Sequence, residues 1–547
     1  MKKLLLSLGL PLGLMFAGEF WLFDQVGAHR HTWIYARWND QVQYLTEAYS
    51  GWELVRLHGF FAGLGQAVIR PCAQGTLHPV LAILAFTVAG GPSRSAALAL
   101  NMLAMILWQA VSAFATWRRT GSRSLAGAAA ALPLALAWPW NNFAGSAIDF
   151  RLDHLALCGM GTTLAACFWS DGFRSRSGSA AFGLATGFTV LTRFITAVYL
   201  TPIFAVLLLG LLGGPDRARR WRCALGAVAL AAAIAVPFLW LDHPYIWSYY
   251  GIGHSTGPEA AVRDPHMDFW VSAVWLVRGV GRDHLGPTLG WIVLGGTLAF
   301  GGGALGWRRR NPAAVAPGAA SPRAARQLAG IGLLFAVVPA LILVQHKLKS
   351  DIVIGISAPG ILALVLSLWI VLAAASAVVW RGLSAGAVVL ACAGFFVARQ
   401  YAPAYAPGFV VDARKVAELA ETIFRRSRQA GLKEPRVGVD YITDSIDAQA
   451  MRLLCYEHHR VMVPFVMTLP TGIVAEPEDL LLERVRQSDF FLLTEDGPPG
   501  GWPFDVEMRA LYPRSRAWCD AHLRLVDRFP LFGRRMVLYQ RKEIPLD

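Results

Sequence analysis

A multi-span α-helical membrane protein carrying a water-facing α/β unit at its C-terminal end is the fold that the sequence predicts. Three observations predict it. Hydrophobic residues make up 55% of the 547 residues and charged residues only 16%, more apolar matter than a soluble core uses. The apolar residues fall in runs close to the roughly 20 that cross a hydrocarbon layer of about 30 Å as a helix, the form that leaves no backbone group unpaired in lipid. After about residue 399 charge returns, and the periodicity becomes that of a folded, water-facing unit.

The first run, Leu4 to Phe23, follows Met1-Lys2-Lys3 and reads as a retained signal-anchor. It is longer than a signal-peptide core, runs into an aromatic belt at Phe20, Trp21 and Phe23, and shows no small-residue cleavage site. Further spans are expected near 95–116, 124–140, 154–170, 178–192, 195–213, 221–241, 285–306, 326–345, 352–376 and 382–398. With the first these make about eleven, or up to about thirteen on a looser window.

A formal net charge of +14 could serve nucleic acid, but the arginines do not lie along a soluble face. They punctuate the gaps between spans: Arg118, Arg119 and Arg123; Arg174 and Arg176; Arg217, Arg219, Arg220 and Arg222; Arg308, Arg309, Arg310, Arg323 and Arg326; and Arg381. With the N-terminus and these gaps in the cytoplasm, the positive-inside rule holds along the whole chain, and the odd span number puts the C-terminus in the periplasm. Leu77 to Ala89 is apolar but short, and a crossing there would invert Arg118 and Arg119. It reads as a re-entrant or interfacial helix of the outer face.

Four outer loops then collect the acids, histidines and lysines. The first, 24–94, holds Asp40, Glu47, Glu53, His58 and His78; a second holds Asp149-Phe150-Arg151-Leu152-Asp153-His154; a third runs from Asp242 to His284; the fourth is "QHKLKSD" at 345–351. Each has an ordinary reading alone. Asp40 suits a solvated or capping residue, Asp153 a helix N-cap, His254 an interfacial histidine, and Lys347 and Lys349 lipid headgroups. Their gathering on one membrane face is what asks for chemistry.

Several stretches carry a family likeness in the right order. "NDQVQYLTEA" has Asp40, Tyr44 and Ala48 spaced as acid, aromatic and small residue; "GTLHPVLAIL" holds His78 and Pro79; "IDFRLDHLALCGM" holds Asp153; "GLATGFTVLTRFITAVYLTP" holds Arg193; "YYGIGHSTG" holds Tyr250 and His254; "HKLKSDIVIGISAPGILAL" holds Lys347 and Lys349. Together they resemble the membrane glycosyltransferases of the GT-C class, specifically the protein O-mannosyltransferase superfamily that includes the lipid A aminoarabinose transferases. The likeness covers about the first 400 residues. Three positions depart from the family pattern: Gln41 stands where a second acid is frequent, Arg193 where Lys is usual, and Asp351 and Ile352 replace an aromatic after the lysines.

The resemblance implies a sugar carried on a polyprenyl phosphate and passed to an acceptor hydroxyl with inversion. The phosphate leaves as an anion and needs neutralisation, for which Lys347, Lys349 and Arg193 are the candidates. Asp40 is the candidate base on the opposite face of the sugar, and Asp153 would orient the acceptor or a metal. Tyr44, His78 and Tyr250 complete the expected substrate contacts. A divalent metal on Asp40, Asp153 and His254 is an option that the resemblance adds, without any short ligand spacing of the His-x-x-x-His kind. The acceptor stays open between glycolipid, polysaccharide and protein. A polysaccharide polymerase or ligase would use the same donor class. A transporter or flippase is the other alternative, but it would place ionisable groups near the midplane of the spans, whereas these gather at one surface.

Residues 401–547 form the second expected domain. "ARKVAELAETIFRRSRQAG" sets Val416, Leu419, Ala420 and Ile423 on one helical face, with Gly431 after its end. "PRVGVDYI" and "SDFFLLTED" read as strands, and "LRLVDRFPLFGRRMVLYQRK" as a hairpin around Gly533. No Gly-x-Gly-x-x-Gly follows a strand, which removes a dinucleotide site. Acceptor recognition and a scaffold role both stay open for this unit. Cys455 and Cys519 share it, where a disulfide is chemically allowed.

Overall fold

The computed structural model describes residues 2–24, 39–141, 144–213, 216–253, 256, 268–287, 289–298, 322–345, 354–374, 407–433, 435–439, 448–460, 465–467, 477–497 and 506–544. After α1 (Lys2–Leu22) come three helices of the 24–94 segment: α2 (Asn39–His58), α3 (Phe60–Val68) and α4 (Leu77–Ala89). The bundle continues with α5 (Arg94–Thr120), α6 (Arg123–Ala131), α7 (Leu152–Trp169), α8 (Arg176–Thr192), α9 (Thr196–Leu209), α10 (Arg217–Leu241), α11 (Phe269–Gly279), α12 (Leu289–Leu298), α13 (Pro322–Gln345) and α14 (Ala358–Ala374). Among the described residues four helical stretches are long and apolar enough to cross a bilayer: α5, α10, α13 and Gly355–Ala373.

Local chemistry sets the ends. Ser93, Ser122 and Ser175 each accept the N–H three residues on, capping α5, α6 and α8. Gly121 closes α5 at φ +69, a left-handed turn that disfavours a side chain. The run expected at 124–140 departs from a single helix: α6 stops at Ala131, a 3₁₀ turn takes Leu132–Ala135, and Trp138–Asn141 forms a separate turn. Pro133 has no N–H to continue the ladder. The run expected at 285–306 is broken at Gly286 (φ +64) and is described only to Leu298; the run at 382–398 lies outside the described residues. Glu19 of α1 is buried and accepts the Gln109 amide of α5 at 2.9 Å.

The arginine-rich gaps meet at one end of the bundle. Arg119 pairs with Asp171 at 2.6 Å and donates to Gln327 at 2.7 Å, and Arg220 donates to the Gly172 carbonyl at 2.9 Å. Both ends of α4 meet the opposite end: His78 packs on Phe150, while Arg94, just beyond its C-terminus, reaches Gln41, itself bonded to Phe150 N–H.

In the C-terminal part, α15 (Pro407–Gln429) buries Val416, Leu419, Ala420 and Ile423, and Gly431 follows at φ +71. It is followed by β1 (Val437–Val439), α16 (Ala448–His459), β2 (Phe465–Met467), α17 (Glu478–Arg486), β3 (Phe490–Thr494), α18 (Val506–His522), β4 (Leu523–Leu531) and β5 (Arg534–Arg541). The sheet order is β2-β1-β3-β5-β4; β1 runs parallel to β2 and β3, whereas β5 runs antiparallel to β3 and to β4, and β4 and β5 are joined as a hairpin at Phe532-Gly533. β3 is buried on both faces. Phe490 and Leu492 join the cluster of α15 and α16, and Phe491 and Leu493 join that of Cys519 and Tyr539. Cys455 and Cys519 sit in these two separate clusters and are not bridged to each other.

Candidate functional site

Asp40 stands in the first turn of α2, where a carboxylate complements the positive helix end. It is 61% exposed, and Arg151 Nη1 lies 3.3 Å from it. The Arg151 guanidinium is buried and shared, with its Nε 3.0 Å from Asp149. Asp149 also accepts the Gly145 N–H at 2.6 Å, and burial pushes its carboxyl up to about 6. Gln41, beside Asp40 in sequence, points into the protein. Its Oε1 accepts Arg94 Nη2 at 2.9 Å and the Phe150 N–H at 3.2 Å. A neutral amide at position 41 thus ties α2 to the 149–151 loop.

Asp153, in the first turn of α7, forms an ion pair with Arg193, and both side chains are largely buried. Arg193 sits at the break between α8 and α9, extended at φ −157. Two contacts fix that break against the first loop. The Phe194 N–H donates to the Gln74 carbonyl at 2.7 Å, and a Cβ on Gly75 would strike the Thr192 carbonyl. A third tie is the Cys72 N–H, which donates to Asp242 at 3.1 Å at the end of α10; burial raises that carboxyl.

Tyr44 lies one turn after Asp40 on the same face of α2 and donates to Gln74. Burial first, and the Asp40 charge second, raise its pKa well above the ordinary phenol value, so it stays a neutral donor. Arg193 lies within electrostatic reach of Tyr44, Tyr199, Tyr249 and Tyr250, the last two on a π-helical turn at Trp247–Gly253. The adjoining cleft is narrow and is lined by Asp153, Arg193, Thr196, Tyr199, His284 and Ile356. His284 stacks on Trp138 at 4.5 Å.

Of the residues singled out in the sequence, Asp40, Tyr44, Asp153, Arg193 and Tyr250 are thus joined through contacts of one neighbourhood. His78 is placed differently: it is wholly buried behind the 149–151 loop, its ring 3.8 Å from that of Phe150, and burial pushes its pKa down to about 3. His254, Lys347 and Lys349 lie outside the described residues. Asp40 and Asp153 each already hold a guanidinium where a divalent cation would sit, and among the described residues no three ligating side chains gather.

Sequence reasoning missed Arg94, Asp149 and Arg151. No signal in the sequence sets Arg94 and Arg151 apart, since the same outer segments also carry Arg30, Arg37, Arg56, Arg70, Arg263, Arg278 and Arg282.

No family model matches the chain, and no curated protein matches it. Among solved structures, the chain is similar in overall course to ArnT from Cupriavidus metallidurans. Against the apo state the identity is 14% and the TM-score 0.43, over 96% of this chain and 97% of that one. Against the form bound to undecaprenyl phosphate they are 14% and 0.46, over 99% and 100%. The Archaeoglobus fulgidus oligosaccharyltransferase tethered to an acceptor peptide matches at 12% identity and TM-score 0.45, over 98% of this chain and 74% of that one. ArnT is a lipid A aminoarabinose transferase, and both proteins are GT-C glycosyltransferases, the class that the sequence motifs resemble.

Proposed function

We propose that the protein is a GT-C membrane glycosyltransferase that moves a sugar from a polyprenyl-phosphate donor to an acceptor hydroxyl at the outer membrane face, with inversion. The observation that carries this reading is that Tyr44, one turn from the exposed Asp40, donates to Gln74, whose carbonyl accepts the N–H of Phe194, the neighbour of Arg193. An acid open to solvent and a cation at the cleft are thereby tied together through Tyr44 and Gln74.

In this reaction the departing phosphate needs positive charge as the glycosidic bond breaks. Arg193 supplies it, exchanging part of its pairing with Asp153 for the phosphate oxygens, and Lys347 and Lys349 join from the loop before Ile354. Asp40 takes the proton of the attacking hydroxyl. Its competence as a base depends on Arg151 being held back, and Asp149 does this by sharing that guanidinium. Asp153 keeps Arg193 aimed. The acceptor is a glycolipid, polysaccharide or protein.

The test is sugar transfer from radiolabelled polyprenyl-phosphate sugars by purified protein. Asp40→Asn should lower turnover by about 10²- to 10⁴-fold, the usual contribution of a general base. Equal turnover by wild type and variant removes Asp40 from that role.

A further inference from the structure

The helix that carries Asp40 is gripped from behind by the C-terminal part of the chain. With 3.6 residues per turn, Asp40, Tyr44 and Glu47 fall on one face of α2, and Tyr49 and Glu53 fall on the opposite face. That rear face meets α16. The Tyr49 hydroxyl donates to Glu457 at 3.1 Å, and the Tyr456 hydroxyl donates to Glu53. The pair is reciprocal, each helix giving one tyrosine donor and one carboxylate acceptor. The Tyr49 and Tyr456 rings pack 5.5 Å apart, and Phe86 of α4 closes the other side of Tyr49 at 5.3 Å. Just past α16, Arg460 donates to the Pro92 carbonyl at 3.3 Å, at the α4–α5 turn. Val42, Leu45, Ala48 and Tyr49 share one apolar cluster with Leu453, Leu454 and Tyr456.

Apolar packing alone resists separation but tolerates rotation and sliding. Two crossed tyrosine–carboxylate bonds, each involving a charged acceptor, fix both the register and the roll of one helix on the other. Roll matters here, because turning α2 about its axis moves Asp40 and Tyr44 together relative to Arg151 and Gln74. We infer that α16 is a positioning clamp for α2, its Tyr456 and Glu457 setting how the site face of that helix is presented to the cleft. This gives the C-terminal part a scaffold role, and its bearing on catalysis rests on the reading of Asp40 as base. Tyr49, Glu53, Tyr456 and Glu457 touch no substrate in this scheme.

The test uses the full chain in lipid nanodiscs. Tyr49→Phe/Tyr456→Phe removes both hydroxyls and keeps both rings. Hydrogen exchange should quicken about tenfold in peptides from 39–58 and stay unchanged in α7 and α8, the size expected for losing one to two hydrogen bonds locally. Glu457→Gln, which keeps an acceptor oxygen, should exchange more slowly in α2 than Glu457→Ala. With any polyprenyl-phosphate sugar that the wild type turns over, the double variant should lose kcat and keep its donor KM. Unchanged exchange in α2 overturns the clamp, as does an equal rise across α7 and α8, which would make the contact a support of the whole bundle. If wild type turns over no such donor, the proposed function fails, and the exchange result still decides the clamp.

Discussion

A carboxylate becomes a base or a mere salt-bridge partner according to what its neighbours do with the nearest cation. Arg151 lies between Asp40 and Asp149, and Arg193 belongs to Asp153, so the two candidate acids differ in how much of a guanidinium each holds. Arg193→Ala would leave Asp153 largely buried without its cation and the leaving phosphate without its partner. Transfer, read as kcat/KM, should fall about 10²- to 10³-fold, the range for removing one electrostatic stabiliser. Arg193→Lys should recover part of this, since a point charge suffices for phosphate although the planar fork is lost. The buried histidine makes a separate claim. The fold keeps the His78 ring neutral, with its pKa pushed from an ordinary 6.5 to about 3, by burial first and by the neighbouring His154 second. The unfolded chain therefore binds a proton near pH 6.5 that the folded chain refuses until about pH 3. The stability that His78 permits is fully present above pH 6.5 and is lost as pH falls through that window. Thermal unfolding followed between pH 7 and 4.5 should show His78→Phe losing less stability on acidification than wild type, with the ring contact to Phe150 kept.

Helices were the most legible level of this chain, because apolar run length and serine caps are local signals. α5, α8, α10 and α13 stand where the runs are, within a few residues. So do α15 with its apolar face, and the hairpin at Gly533. What was not legible was the interior of the 124–140 run. Hydropathy sees its alanines and leucines as continuous, whereas Pro133 interrupts the ladder. The crossings between helices were equally hidden, since they depend on which small residues meet. Gly332 and Gly360 meet where α13 crosses α14: a Cβ on Gly360 would strike the Ala336 nitrogen and the Gly332 carbonyl. Gly127 of α6 has open space at the same position. Close backbone approach of this kind substitutes for the missing hydrophobic drive between helices in lipid. Gly360→Leu should therefore cost about 1–3 kcal/mol by overpacking, seen as a lower melting temperature in detergent, whereas Gly127→Leu should leave it nearly unchanged.

Among the described residues, the arginine-rich gaps and the candidate carboxylates lie at opposite ends of the bundle. Arg119, Arg174 and Arg220 meet at one end, and Asp40, Arg151, Asp153 and Arg193 at the other, so a pattern read from spacing has a counterpart in contacts. The candidate site was legible only in part. Asp40, Tyr44, Asp153 and Arg193 carry motif signals, whereas Asp149 bears on the site only through Arg151, whose partner Asp40 is distant in sequence. Gln41 looked like a loss because an amide replaced an acid, yet its value is as an acceptor for Arg94 and for the Phe150 N–H. No single-position signal shows that. The sorting also predicts an orientation that labelling tests. In a background with all seven cysteines replaced, single cysteines are placed at Gln43 and Arg123, both exposed and at opposite ends of the bundle. A membrane-impermeant maleimide applied to cells with a permeabilised outer membrane should label position 43 at once and position 123 only after the inner membrane is opened, because arginine-rich gaps stay on the cytoplasmic side. Labelling of both from the same side would place Asp40 and the Arg118–Arg123 gap together. The lipid-phosphate site would then lose the outer surface on which its chemistry depends.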